Sequence, residues 1–131
     1  MLKVVKTSIA IAAASLMFSG TAQADVNEAL ANICNIVQAD DKGQLRKKMK
    51  AVQSDYNLRL SDYYSGISCG GNSLIRTAIL NNAVETGELL VKKMPKSALS
   101  EPEQDGKTLT AWVTEQGLAG NPVAAVLAER I

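Results

Sequence analysis

The residues of this 131-residue chain that could do chemistry are carboxylates, lysines, tyrosines and two cysteines, because the sequence contains no histidine. Without histidine, neither a Ser-His-Asp triad nor a Cys-His pair can form, and the commonest general base near neutral pH is missing. Most catalytic zinc chemistry is excluded as well, since it depends on imidazole ligands. An enzyme built from this chain would have to use carboxylates, lysine or tyrosine.

Asp40, Asp41 and Asp62 are the carboxylates that could form an acid–base pair of the glycosidase type. Adjacent residues on a helix point about 100° apart, so Asp40 and Asp41 suit helix capping better than proton transfer. A carboxylate-dependent small hydrolase is therefore a remote alternative. We assign no catalytic residue and expect no cofactor.

Glu101, Glu103 and Asp105 stand at alternate positions before Gly106, like the opening of a calcium loop. The EF-hand pattern needs an acidic residue at its twelfth position, and this sequence has Trp112 there. We therefore expect a solvated acidic loop and assign no metal ligand.

The most concentrated charge lies beside the apolar residues Leu45, Met49 and Val52, where it predicts a basic amphipathic helix. Such a helix is either the solvated face of a core helix or a surface for anionic lipid or an acidic partner. Nucleic acid is not expected, because no aromatic stacking platform is interleaved with the charges. The cations are Lys42, Arg46, Lys47, Lys48, Lys50 and Arg59.

Two adjacent tyrosines, Tyr63 and Tyr64, complete the candidate interaction residues. They cannot both point fully inward from one narrow helical stripe, so a surface anchor is the alternative for one of them. Tyrosine with Arg59 nearby is a composition favoured at binding hot spots. Filling of the core is the favoured interpretation.

The elements that must position these residues are helical almost throughout. Apolar residues recur at i, i+3, i+4 and i+7 in successive segments, and no stretch alternates convincingly with period two. Asn121-Pro122 is a strong start signal for the last helix. The predicted fold class is all-α, with short antiparallel helical hairpins closed by N-terminal helices and one disulfide bond.

A weak internal repeat accompanies the hairpins. Gly71-Asn72-Ser73-Leu74 recurs 35 residues later as Gly106-Lys107-Thr108-Leu109, and a period in the thirties is typical of stacked hairpins. The second copy resembles the ankyrin repeat, with Leu109-Thr110-Ala111 in place of Pro-Leu-His. Ankyrin-like stacking and an irregular helical bundle both remain open.

Residues 1–24 have the order typical of a secretory signal peptide: a basic head, an apolar run from Ile9 to Phe18 and the exit Ala22-Gln23-Ala24. The run is too short to cross a bilayer, which takes about 20 apolar residues. We expect cleavage after Ala24 and a periplasmic or secreted protein that does not span the membrane.

The mature chain, residues 25–131, fits a single domain. Loss of Lys3 and Lys6 leaves 12 basic and 13 acidic residues, so this domain is nearly neutral. Its charge therefore also argues against a nucleic-acid binder.

Cys34 and Cys69 both lie in the mature region, and two cysteines in a small exported domain most often pair. Such a bridge would stabilise the fold by about 3–4 kcal/mol in the chain-entropy model. A redox-active pair is disfavoured because the sequence has no C-x-x-C motif, and a zinc site lacks further ligands.

One stretch of the sequence carries a more specific residue pattern than the rest. It reads Ala39-Asp40-Asp41-Lys42 and then Tyr64-x-Gly66-Ile67-x-Cys69-x-Gly71-x-Ser73-Leu74-x-Arg76-x-Ala78, with Cys34 upstream. The pattern resembles a family of small exported gammaproteobacterial proteins catalogued as a domain of unknown function. The resemblance implies a periplasmic or secreted setting, supports the Cys34–Cys69 bridge and carries no activity.

The sequence favours a non-enzymatic module that interacts with an unidentified protein partner. The expected surface comprises the turns near Gly71 and Gly106 with the basic helix beside them. The alternative is an envelope-associated domain whose basic helix binds anionic lipid or polysaccharide.

Overall fold

The computed structural model describes residues 28–131. From Ile33 onwards the chain forms eight α-helices, and the described residues contain no β-strand. The all-α prediction is therefore confirmed. The expected signal peptide, residues 1–24, lies outside the described residues. The helices are α1 (Ile33–Gln38), α2 (Lys42–Tyr56), α3 (Leu60–Tyr63), α4 (Leu74–Leu80), α5 (Val84–Lys93), α6 (Lys96–Leu99), α7 (Leu109–Glu115) and α8 (Pro122–Arg130).

Short polar side chains fix the starts of these helices, because each accepts a hydrogen bond from a backbone N–H that the helix leaves free. Asp41 accepts from the amide of Gln44 at the start of α2. Ser73 and Thr108 do the same for α4 and α7, and Asn121 caps α8 in front of Pro122. Helix α5 stops before Pro95, which follows Met94 in extended backbone.

The C-terminal half consists of two helical hairpins that pack on one another. Helix α4 lies against α5, α7 against α8, and α5 makes its main contact with α8. A Cβ atom on Gly87 would come within 2.5 Å of Cγ2 of Val123, so this close approach of α5 and α8 depends on glycine. The helical hairpins are confirmed, and ankyrin-like stacking remains a prediction.

The N-terminal helices close this pair of hairpins. Helix α1 packs on α2 and α4, and α2 also contacts α5. A disulfide bond joins Cys34 in α1 to Cys69, as predicted, with a Cα–Cα distance of 5.6 Å. Cys69 opens a turn in which Gly70 and Gly71 have φ values of 62° and 89°, a backbone region that favours glycine. The bridge thus holds the turn before α4 against α1.

Both candidate tyrosines are buried, with 6% of Tyr63 and 8% of Tyr64 exposed. Both therefore fill the core, as the favoured interpretation expected, and neither serves as a surface anchor. Helix α3 ends at Tyr63, and a 3₁₀ turn over Tyr64–Gly66 follows. The change of helical geometry between the two residues turns both side chains inward, which a single continuous stripe would not allow.

Candidate binding cleft

A cleft of about 420 Å³ opens between two irregular segments of the chain. One wall comes from the 3₁₀ turn and the Ser68–Ser73 turn, and the other from the loop over residues 101–105. Tyr64, Met94 and Ala98 supply its partly apolar interior. The volume lies within the range of about 300–1,000 Å³ that is usual for ligand sites.

Arg76, in the first turn of α4, holds the two walls together. It is 6% exposed, although α4 otherwise buries mostly apolar side chains. Its Nη1 and Nη2 donate to the two carboxylate oxygens of Asp105 at 2.7 and 3.0 Å. Nη2 also donates to the carbonyl oxygen of Lys107 at 3.2 Å. This paired geometry fixes the loop on α4, since both donors must keep their orientation.

Glu103 makes the second set of contacts with Arg76. Its carboxylate is 11% exposed and lies 2.6 Å from Nε of Arg76, close enough for an ion pair. The Nε–H is not aligned for a hydrogen bond with any partner, so this contact is ionic only. The hydroxyls of Tyr64 and Ser73 donate hydrogen bonds to the same carboxylate at 2.7 and 2.9 Å. Glu103 is thus a largely buried carboxylate that accepts two hydrogen bonds and forms one ion pair.

Trp112 covers Arg76 from α7. The guanidinium carbon lies 5.0 Å from the centre of the indole ring, within reach of a cation–π interaction. We call these six residues the Arg76 cluster: Tyr64, Ser73, Arg76, Glu103, Asp105 and Trp112.

These contacts shift the pKa values of ionisable groups in and beside the Arg76 cluster. The hydrogen bonds from Arg76 lower the pKa of Asp105 from its usual 3.8 to about 2, and the same bonds raise the pKa of Arg76. Burial raises the pKa of the Tyr64 phenol, and the Glu103 carboxylate adds to the effect. Burial and nearby Asp62 raise the pKa of Tyr63 to about 12. The tyrosines therefore stay protonated, and Asp105 stays ionised, at neutral pH.

The cleft nevertheless offers polar groups that the fold does not use. Within the described part of the chain, the side chains of Ser61, Asn72 and Glu101 make no hydrogen bond, and all three line the cleft. The charged residues that line the cleft are three carboxylates, Glu101, Glu103 and Asp105, and one arginine, Arg76. The local charge is therefore negative, which favours a neutral or basic polar ligand over an anion.

The expectation of a solvated acidic loop is correct for Glu101 and wrong for Glu103. Glu101 is exposed, whereas Glu103 is drawn inward by the buried guanidinium. The motif quoted for the family resemblance contained both Ser73 and Arg76, without indicating what they do. An arginine within a run of six buried helix positions was the signal that could have revealed the cluster, because a buried charge needs a partner.

The basic residues lie elsewhere, around a second concavity of about 230 Å³ that we call the basic groove. Lys42, Arg46, Lys47, Lys50 and Arg59 are all exposed. Arg46, Lys50 and Arg59 line the groove, whereas Lys42 and Lys47 do not. Lys93, from α5, joins them and was not among the predicted residues. Half-buried Lys48 donates to the carbonyl oxygen of Ala29 at 2.8 Å and so helps to hold the segment before α1.

The three aspartates considered for acid–base chemistry instead bind backbone amides. Asp41 accepts from Gln44, and Asp62 accepts from the amide of Arg59 at 2.8 Å. Asp40 accepts from the amide of Thr86 at 2.9 Å and so ties the segment after α1 to α5. These contacts match the capping role that the sequence predicted for Asp41.

Residues 28–131 contain neither a cluster of metal-ligating side chains nor a membrane-spanning helix. No group of His, Cys, Asp or Glu side chains there is arranged to hold a metal ion. No helix in that range has the length and apolar character needed to cross a membrane.

The fold and the cleft define a small, disulfide-bonded, all-α domain with a polar cavity. The chain belongs to the family described as protein of unknown function (DUF3718), whose model matches residues 33–101. That range includes Cys34, Cys69 and Arg76, whereas Glu103, Asp105 and Trp112 follow it. No curated protein and no solved structure matches the chain.

Proposed function

We propose that this protein is a non-enzymatic binding module that works outside the cytoplasm and holds a neutral or basic peptide segment of a partner protein in the cleft. The observation that carries the proposal is a preformed cavity of about 420 Å³ with rigid walls and unused polar groups. It lies at the Gly71 turn, one of the two turns that the sequence singled out.

The rigidity of the walls supports binding. The Cys34–Cys69 bridge fixes one wall, and Arg76 fixes the loop that forms the other. A preformed site loses little conformational entropy when a ligand enters, so more of the contact energy remains for affinity.

The chemistry of the lining favours a peptide over other ligand classes. The unused hydroxyl, amide and carboxylate groups of Ser61, Asn72 and Glu101 can pair with backbone amides and with a lysine or arginine side chain. Sugars usually stack on an exposed aromatic ring, and the ring of Tyr64 is buried with its hydroxyl held by Glu103. An anionic ligand would meet three carboxylates.

A non-enzymatic role agrees with the contacts of Glu103, the least exposed carboxylate in the cleft. General acid–base catalysis needs a group free to exchange a proton with substrate. The carboxylate of Glu103 contacts Arg76, Tyr64 and Ser73. Exported location is supported by the disulfide bond, which persists in oxidising compartments.

Selection from a random-heptapeptide phage library on the oxidised domain tests the function. We expect selected peptides to be rich in Lys and Arg and poor in Asp and Glu. In titrations of the ¹⁵N-labelled domain with the synthesised peptides, the amides of Asn72 and Gln104 should shift. Glu101→Gln should weaken binding roughly two- to fivefold, as expected for one exposed ion pair.

Glu129→Gln is the matched control, since it removes the same charge from an exposed position in α8 away from the cleft. A library that yields no binders, or binders whose shifts map outside the cleft, would refute the proposal. So would equal losses of affinity in the two variants.

A further inference from the structure

The basic groove is built by three separate elements. Arg46 and Lys50 come from one face of α2, Arg59 precedes α3, and Lys93 ends α5. Because α2 packs against α5 through the core, the positions of these four residues are set by the fold rather than by one helix alone. Convergence from distant parts of the sequence distinguishes the groove from an ordinary basic helix face.

The charge in the groove has no counterpart in the fold. The salt bridges within residues 28–131 use Arg76 and Lys107, and none involves a cation of the groove. No carboxylate lines the groove, and the carboxylate of neighbouring Asp62 accepts from the backbone amide of Arg59. Four like charges that meet in a concavity repel one another, and a bound anion would relieve that repulsion.

The floor of the groove strengthens this attraction. Met49 and Leu60 lie beneath the cations and are 9% and 5% exposed. An apolar floor under a concave charged surface focuses the electric field and weakens its screening by water. An anion in the groove is therefore held more strongly than one on a flat solvated face.

We propose that the basic groove binds a phosphate group. Two arginine forks and two lysine ammonium groups supply more donors than a planar carboxylate can accept, and they suit the oxygens of a phosphate. The volume of about 230 Å³ is smaller than that of a typical whole-ligand site, so the groove takes a phosphate and its nearest substituent. This proposal does not depend on the cleft or its peptide.

The test uses sn-glycerol 3-phosphate and phosphatidylcholine vesicles with and without phosphatidic acid, which carries the same phosphate monoester on glycerol. Binding of the soluble ester is followed by amide chemical shifts, and binding to vesicles by co-sedimentation. We expect shifts at Lys50 and Lys93, and an affinity that falls as ionic strength rises from about 0.02 to about 0.5 M. Equal occupancy by the free ester and the vesicles assigns the groove to phosphate esters, and a strong preference for vesicles assigns it to a lipid headgroup.

The decisive comparison is between two double variants of equal charge. Lys50→Gln/Lys93→Gln changes the groove, whereas Lys42→Gln/Lys47→Gln removes the same charge from exposed positions of α2 outside it. The groove variant should lose affinity on the order of fivefold and the control less than about twofold. All four positions are exposed, so both variants should fold, and thermal denaturation checks this. Equal losses in the two variants, or no binding of either phosphate probe by the unaltered protein, would overturn the proposal.

Discussion

The Arg76 cluster and the basic groove place arginine in opposite situations. Arg76 is buried. It donates hydrogen bonds to Asp105 and to the Lys107 carbonyl, and it forms an ion pair with Glu103. Arg46 and Arg59 are exposed and form no salt bridge within the described residues. Burial obliges a charge to be paired, so Arg76 is tied to the loop that forms the cleft, whereas the exposed arginines of the groove need no partner within the fold.

Arg76→Met tests this contrast with the largest expected effect. Removal of the guanidinium leaves Glu103 buried without a positive partner, which should lower the free energy of unfolding by about 3–5 kcal/mol. Arg59→Met, in the groove, should change it by no more than about 0.5 kcal/mol, since no buried partner is lost. Urea unfolding of the oxidised proteins measures both.

The same pair of variants separates structure from binding. Arg59→Met should weaken the binding of glycerol 3-phosphate while leaving the stability of the domain intact. If Arg76→Met and Arg59→Met destabilised the domain equally, the distinction between a structural and a ligand-facing arginine would fail.

Tyr64→Phe removes a single hydrogen bond from the Arg76 cluster. The variant leaves one oxygen of the Glu103 carboxylate without the phenol donor and should cost about 1.5–3 kcal/mol of stability, as for other hydrogen bonds to charged groups. Tyr63→Phe is the matched control, because the buried Tyr63 hydroxyl has no hydrogen-bond partner in the described part of the chain. Tyr63→Phe should change the free energy of unfolding, measured in urea, by no more than about 0.5 kcal/mol. Equal costs would show that the Tyr64 hydroxyl contributes nothing through Glu103.

The helices could be predicted from the sequence because their signals are local. Asp41, Ser73 and Asn121 mark helix starts through contacts two or three residues away. The pairing of Cys34 with Cys69 needed only their number and the expected compartment. The sequence did not show how adjacent Tyr63 and Tyr64 can both be buried, since a change from α to 3₁₀ geometry between them is not encoded in apolar periodicity.

The site could be predicted only in part, because its contacts are distant in the sequence. The basic face of α2 gave Arg46 and Lys50, which are four residues apart and share a helix face. Lys93 reaches the same groove only through the packing of α2 on α5. In the cluster, Glu103 meets Arg76 from 27 residues away, and no spacing rule selects it over Glu101.

The pH dependence of stability gives the smallest expected effect, at Asp105. Its pKa in the fold is lowered from 3.8 to about 2, so its contribution is complete above about pH 4 and disappears as the pH falls through about 2. Unfolding in urea between pH 5 and pH 2 should therefore show the difference in stability between the natural protein and Asp105→Asn shrinking within that window. Arg59→Met leaves Asp105 and its contacts with Arg76 in place, so it should follow the natural protein throughout. A difference for Asp105→Asn that stayed constant down to pH 2 would mean that Arg76 does not hold the Asp105 carboxylate as the geometry indicates, because the depressed pKa requires that contact.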